Sequence, residues 1–131
     1  MPTLPESFAD LFTPQKRAFA YLALVLKDGS PQVTPVWFDW DGTHLIINTA
    51  RGRVKDRALQ RRARVALAIS DPADPYRYIQ VQGRVAEETE AGAREMIDQL
   101  SQKYEGRPYP WYRGETRVTY KIQPEKFQPE K

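Results

Sequence analysis

The residue types best suited to chemistry are gathered in one stretch, Thr49-Ala50-Arg51-Gly52-Arg53-Val54-Lys55-Asp56-Arg57, which runs on through further arginines to Arg64. Positions 51 to 64 hold seven basic side chains (Arg51, Arg53, Lys55, Arg57, Arg61, Arg62, Arg64) and one acidic one, Asp56. The whole chain carries only +3, so the rest of it is net acidic and the basicity is local. The order of residues predicts a strand ending in Asn48-Thr49, a turn at Gly52, and then a helix reaching toward Arg64. The first N–H groups of a helix have no intrahelical partner and its dipole is positive there. Cations crowded at that end repel it and one another unless an anion joins them, and a phosphate is the usual occupant. A basic helix that is simply solvated is the competing arrangement.

Other chemistries are excluded by what is missing. The chain has no cysteine, which removes disulfides, thiolate metal sites and thiol nucleophiles. Its single histidine, His44, opens a strand beside a turn and is expected at the surface, and no carboxylate cluster stands ready to hold a metal. Dinucleotide-binding, phosphate-loop and nucleophile-elbow motifs are absent. The acid pairs Asp39 and Asp41, and Glu87 and Glu88, fall at turns and strand ends where solvated charge is the ordinary state. No residue qualifies as a catalytic acid or base, so a redox reaction here would have to be carried by a bound cofactor. No apolar run approaches the roughly 20 residues of a membrane span, and no signal pattern opens the chain. A cytoplasmic protein is expected.

The elements that must position the basic stretch can be read in order. The 131 residues suit one domain, with a short N-terminal helical segment over 1–14 and a polar tail over 128–131. Ser7 to Asp10 resembles a capping box, with Phe8, Leu11 and Phe12 on one helix side. AFAYLALVLK, 18–27, predicts a buried strand stopping at Asp28-Gly29. QVTPVWFDW, 32–40, predicts its return, and 43–49 a third strand completing a meander. Pro35 cannot donate to a ladder, so its strand is expected at an edge or with a bulge. Amides around Thr34, Val36 and Trp37 would then be free for a ligand ring, with Trp37 or Val36 as an apolar wall. Alternatively, Trp37 and Trp40 belong to the core or to a dimer interface. Two strands follow, 64–70 and 76–87, with Gly83 marking a bulge. A helix is expected over 89–104, with Thr89 as its N-cap and Gly106 as its stop. The aromatic loop 107–115, with Tyr109, Trp111 and Tyr112, should cover something. A last strand over 116–122 ends the pattern.

The succession DGSPQVTPVWFDWDG, IINTARGRVKDRALQRRARVAL, DPYRYIQVQGRVA and RVTYKIQPEKF resembles the pyridoxamine 5′-phosphate oxidase superfamily, and within it the deazaflavin (coenzyme F420) dependent oxidoreductases. The resemblance implies a mainly β fold, a six-stranded antiparallel split β-barrel of the FMN-binding type. It also implies a homodimer with cofactor sites at the subunit interface. By the same resemblance Val33, Thr34, Pro35, Val36, Trp37 and Phe38 would lie along the ring, and Asn48 and Thr49 would meet the ring or its ribityl chain. Lys55, helped by Arg51 or Arg53, would bind the phosphate, and Tyr78 would reach the cofactor, often from the other subunit. The arginine and lysine that flank the ring-binding strand in true pyridoxamine phosphate oxidases are replaced by Val33 and Phe38, and their C-terminal extension is missing. Hydride transfer from F420 to an unsaturated or quinone-like small-molecule acceptor is therefore the expected activity. FMN is the alternative cofactor, and a nucleic-acid-binding barrel the alternative of a different class.

Overall fold

A computed structural model describes residues 2–130. A single 3₁₀-helix, Glu6–Phe12, precedes seven strands and two α-helices: β1 Ala20–Val25, β2 Pro31–Val36, β3 Asp39–Trp40, β4 Leu45–Ala50, α1 Val54–Gln60, β5 Arg64–Asp71, β6 Asp74–Thr89, α2 Ala93–Glu105 and β7 Arg117–Glu130. The strands form one antiparallel sheet in the order β2-β1-β5-β6-β7-β4-β3, curled into a split barrel with seven strands where six were expected.

The alternation written into the strands decides what the curl encloses. Leu22 and Leu24 of β1, Leu67 and Ile69 of β5, Ile79 and Val81 of β6, and Val118, Tyr120 and Ile122 of β7 share the inner face and are buried. Phe8, Leu11 and Phe12 of the 3₁₀-helix close one side of this core. That helix is a packing element, and its expected capping box does not form. Pro5 stands at the N-cap without a side-chain bond, and the Asp10 carboxylate receives Arg77 instead. Gly83 sits at a register shift between β6 and β7, as expected, and a Cβ there would run into the carbonyl oxygen of Gln123.

The extra strand comes from a break that the local pattern hides. The stretch 32–40 was expected as one strand of a meander, but it divides at Trp37-Phe38. Its first half pairs with β1 and its second with β4, at opposite edges of the sheet. Phe38 is buried, and its backbone groups bond to α2. The Tyr104 hydroxyl accepts from the Phe38 N–H at 3.3 Å, and Lys103 Nζ donates to the Phe38 carbonyl at 2.7 Å. Side chains far along the sequence thus replace ladder bonds, an exchange no short window announces.

Pro35 lies in an edge strand, as expected, but without a bulge and without freeing its neighbours' amides. Register runs without interruption from Pro31 to Val36 against β1. The Leu26 N–H bonds to the Ser30 carbonyl at 2.8 Å, which fixes the alternation: Gln32, Thr34 and Val36 face β1 with their backbone groups, while Pro31, Val33 and Pro35 turn theirs outward. Both prolines sit where no ladder N–H is needed. The edge keeps one free strand N–H, at Val33, and is protected against pairing with another strand. The amides of Thr34 and Val36 are committed to the sheet.

Toward the C-terminal half, β6 extends through Thr89, so Thr89 is not the cap of α2. Gly92, with φ 75°, takes that place, and Gly106, with φ 74°, ends the helix as expected. β7 continues to Glu130, pairing the expected polar tail with Tyr78 to Gln80. Among the described residues, no helix is long and apolar enough to cross a membrane.

Candidate functional site

The basic stretch divides into two groups of side chains with different surroundings. After β4 the chain turns at Gly52, whose φ of 88° suits glycine, and enters α1. The helix is only two turns long and stops at Gln60, short of Arg64, with Arg62 in a left-handed conformation. The Asp56 side chain is 3% exposed and fastens this corner. It accepts from the Tyr120 hydroxyl at 2.6 Å, the Gly52 N–H at 2.9 Å and Arg51 Nη1 at 3.1 Å. Burial opposes its ionisation, but these bonds outweigh burial and hold the carboxyl below its usual range. Arg51 also reaches Glu88 and Glu90, each at 2.8 Å. Three carboxylates therefore occupy Arg51, which does not line the cleft described below. Arg57 bonds to the Gly52 carbonyl, Arg61 to that of Val25, Arg62 pairs with Glu88 and Arg64 with Glu125.

Arg53 and Lys55 have no carboxylate partner among the described residues, and both line a cleft of about 470 Å³. Burial first, and Arg53 second, hold the Lys55 ammonium below the usual lysine value. An incoming anion would relieve both.

Of the residues expected at a ring, Pro35, Val36, Trp37, Asn48 and Thr49 line this cleft. Thr34 and Phe38 lie beside it without lining it, and Phe38 belongs to the core. Val33 and Tyr78 are on the outer face of the sheet, where they border a separate hollow with Tyr21, Ala66, Ala68 and Gln80. Asn48 lines the cleft, yet its carboxamide is engaged. Nδ2 donates to the Ala93 carbonyl at 2.9 Å and Thr119 Oγ1 at 3.1 Å, and Oδ1 accepts from Arg117 Nε at 2.9 Å. Asn48 holds β4, β7 and α2 together, so its apolar edge is what the cleft meets.

Another part of the lining is aromatic. The Tyr104 ring stacks between Phe19, at 5.1 Å, and Trp37, at 5.5 Å and 8°. Tyr109 meets Trp37 edge-on at 6.5 Å, and Trp111 meets Tyr109 at 5.5 Å. The loop that carries them is anchored: Asp98 accepts from the Tyr109 N–H at 2.9 Å, and Arg117 pairs with Glu115 at 3.0 Å. That loop was expected to cover something, and Tyr109 and Trp111 do line the cleft. Phe19, Gln32, Val54, Ile97 and Leu100 also line it and were not anticipated. Gln32 alone left a trace in the sequence, as a polar residue in phase with the buried positions of its strand. A second cavity of about 510 Å³ lies on the outer face around Ala23, Ala66 and Gln82. It is the larger of the two, but its one cation, Arg64, is paired with Glu125.

His44 stands at the turn before β4, with Nδ1 3.3 Å from Asp41 Oδ2, and is not part of the cleft.

The family model described as pyridoxamine 5′-phosphate oxidase matches residues 5–129. A solved structure named F420 reductase superposes with a TM-score of 0.84 at 30% identity, over 95% of this chain and 98% of that one. General Stress Protein 26 of Bacillus anthracis gives a TM-score of 0.69 at 20% identity, over 95% of this chain and 92% of that one. HupZ of Group A Streptococcus gives 0.68 at 20% identity, over 97% and 94%. No curated protein matches the sequence. With nearly the whole chain under one family model and the same curled sheet in each relative, this protein belongs to the pyridoxamine 5′-phosphate oxidase family.

Proposed function

We propose that the protein is an oxidoreductase that binds deazaflavin coenzyme F420 in the cleft between β2 and α1 and serves a planar, unsaturated or quinone-like acceptor. The observation that carries this reading is that one cleft is lined both by Arg53 and Lys55, which have no carboxylate partner among the described residues, and by the aromatic rings of Trp37, Tyr109, Trp111 and Phe19. The cations suit a phosphate and the aromatic wall the face of a ring. The likeness to a structure named F420 reductase supports the choice of cofactor. FMN, with one terminal phosphate, would use the same two groups.

When bound, a reduced deazaflavin supplies the hydride. The chain's residues bind, orient and shield. Lys55 and Arg53 fix the phosphate, Val36 and Trp37 set the plane of the ring, and Tyr109 and Trp111 cover the cleft against water. A planar acceptor stacked on that wall is brought close enough to the ring for transfer.

We further propose that two copies of the chain act together. The middle of the outer face of β1, β2, β5 and β6 presents Tyr21, Ala23, Val33, Ala66, Ala68, Tyr78 and Gln80, with no charge among them, and Arg64 and Arg84 stand at its margin, paired with Glu125. Tyr78 lies on that face, so any cofactor it meets belongs to the partner subunit. The nucleic-acid alternative is disfavoured because Arg51, Arg62 and Arg64 each have a glutamate partner that offsets their charge.

Fluorescence titration with F420 and FMN in parallel, at two salt concentrations, tests the reading. Lys55→Ala is expected to weaken binding of the preferred cofactor by about 1–3 kcal/mol through loss of a charge-assisted contact. An unchanged dissociation constant would remove the phosphate assignment. Steeply salt-dependent binding of oligonucleotides, with no uptake of either cofactor, would revive the alternative.

A further inference from the structure

An acceptor of the kind proposed above must gain a proton as well as a hydride. Once a hydride has joined a quinone or an unsaturated carbonyl compound, negative charge rests on the acceptor oxygen, and a donor has to meet it there. Among the described residues that line the cleft there is no carboxylate and no histidine. An arginine does not release its proton, which sets Arg53 aside, and Lys55 in the reading above holds the phosphate. Tyr109 remains, the one tyrosine in the lining. Its main-chain N–H is tied to Asp98, while its hydroxyl meets no protein partner among the described residues. The other tyrosines are differently placed. The hydroxyls of Tyr104 and Tyr120 are taken by the Ala18 carbonyl and the Asp56 carboxylate. Tyr21 and Tyr78 belong to the outer face, Tyr76 is 79% exposed, and Tyr112 lies against Arg94 outside the lining.

The Tyr109 ring is also held in place. Besides Trp37 and Trp111, it meets the guanidinium of Arg117, 5.2 Å from its centroid. Arg117 is fixed in turn, because its side chain is 4% exposed and bonds to Asn48 and Glu115. A donor carried by the wall on which the acceptor stacks is kept within its reach. We propose that Tyr109 is the catalytic acid of the reaction and gives its phenolic proton to the acceptor oxygen. The reduced deazaflavin or flavin supplies the hydride, which forms one new bond to hydrogen on the acceptor. The Tyr109 O–H bond breaks, an O–H bond forms on the acceptor, and the tyrosinate regains a proton from solvent. A phenol suits this task because the oxygen it protonates is phenolate- or enolate-like, so the transfer is close to balanced. This rests on the cofactor reading given above and adds to it a residue that acts on the acceptor.

Binding and turnover test it separately. The full chain and its Tyr109→Phe variant, each loaded with the oxidised form of whichever of F420 and FMN is bound, are titrated with 4-nitrophenolate and with nitrobenzene. The first mimics the anionic oxygen of an acceptor that has gained the hydride alone, and the second lacks that oxygen. Tyr109→Phe is expected to weaken 4-nitrophenolate by about tenfold, the scale of one hydrogen bond to a charged oxygen, and to leave nitrobenzene unchanged. Retained binding of nitrobenzene also shows that the variant cleft is folded. In single-turnover reduction of a naphthoquinone by the reduced cofactor, Tyr109→Phe should be slower by about a hundredfold, and added phenol should restore part of the rate. Tyr112→Phe, in the same loop but outside the lining, should keep the wild-type rate. Equal weakening of both ligands, or a full single-turnover rate in Tyr109→Phe, overturns the role of Tyr109 while the cofactor reading stands. If the wild type takes up neither cofactor, that reading falls and this inference falls with it.

Discussion

Arg51 and Lys55 are four residues apart in one basic stretch, and the fold uses them in opposite ways. Arg51 is held by Asp56, Glu88 and Glu90, all within 3.1 Å, and serves the structure. Lys55 is half-buried beside Arg53, has no carboxylate partner among the described residues, and lines the cleft. Positive charge that the fold neutralises is architecture, whereas positive charge left costly and unneutralised is what the proposed binding site draws on. A side chain that raises the free energy of the empty protein is kept where a ligand lowers it again.

That contrast can be broken most severely at Asp56. Asp56→Ala would leave Arg51, Tyr120 and the Gly52 N–H without their shared acceptor. It is expected to lower unfolding stability by about 3–5 kcal/mol, measured by urea denaturation. Lys55→Ala should leave the same midpoint unchanged or raised while it weakens the cofactor. Equal losses of stability in the two variants would erase the distinction between them. Next in size is Gly83→Ala, which forces a Cβ against the Gln123 carbonyl and Ile122 at the β6–β7 bulge, for an expected loss of about 1–3 kcal/mol. A thermal midpoint equal to wild type would mean that the bulge absorbs the methyl.

The smallest expected effect is on pH dependence. Burial lowers Lys103 from 10.5 to about 8. Between these values the unfolded chain binds the extra proton, so the Lys103 contribution to stability rises with pH from about 8 toward 10.5. Tyr104 and Tyr120 act the other way at higher pH. Burial raises both, so the unfolded chain loses their protons first and stability falls above about 10. Lys103→Met should flatten the rise between pH 8 and 9.5 in denaturation curves without shifting the fall. A wild-type curve already flat there would remove the cost assigned to this lysine. For Lys55, whose value is likewise lowered, cofactor affinity should decline as pH climbs into its titration range, and Lys55→Arg should postpone that decline.

Much of this protein could be read from its residues alone. The apolar alternation of β1, β5 and β6, the glycines at 52, 83 and 106, and the two stops at Asp28-Gly29 and Asp41-Gly42 are local signals, because strand phase and positive φ depend on a few neighbouring residues. The concentration of cations near Lys55 was equally visible. The partition of those cations was not, since apart from Asp56 the acids that claim Arg51, Arg62 and Arg64 come from β6, the turn just after it, and β7, and only the closed sheet brings Glu88, Glu90 and Glu125 to them. The same holds at Trp37-Phe38, where Tyr104 and Lys103 of α2 supply the bonds that let one apparent strand serve two edges. Asn48 looks free in the sequence and is engaged through both atoms of its carboxamide in the fold. Gln32 looks like an ordinary strand polar residue, yet it keeps a buried oxygen with no partner. Sequence determined which groups exist and how each strand is phased. Tertiary structure decided which of them are satisfied, because hydrogen bonding and ion pairing are settled by neighbours in space.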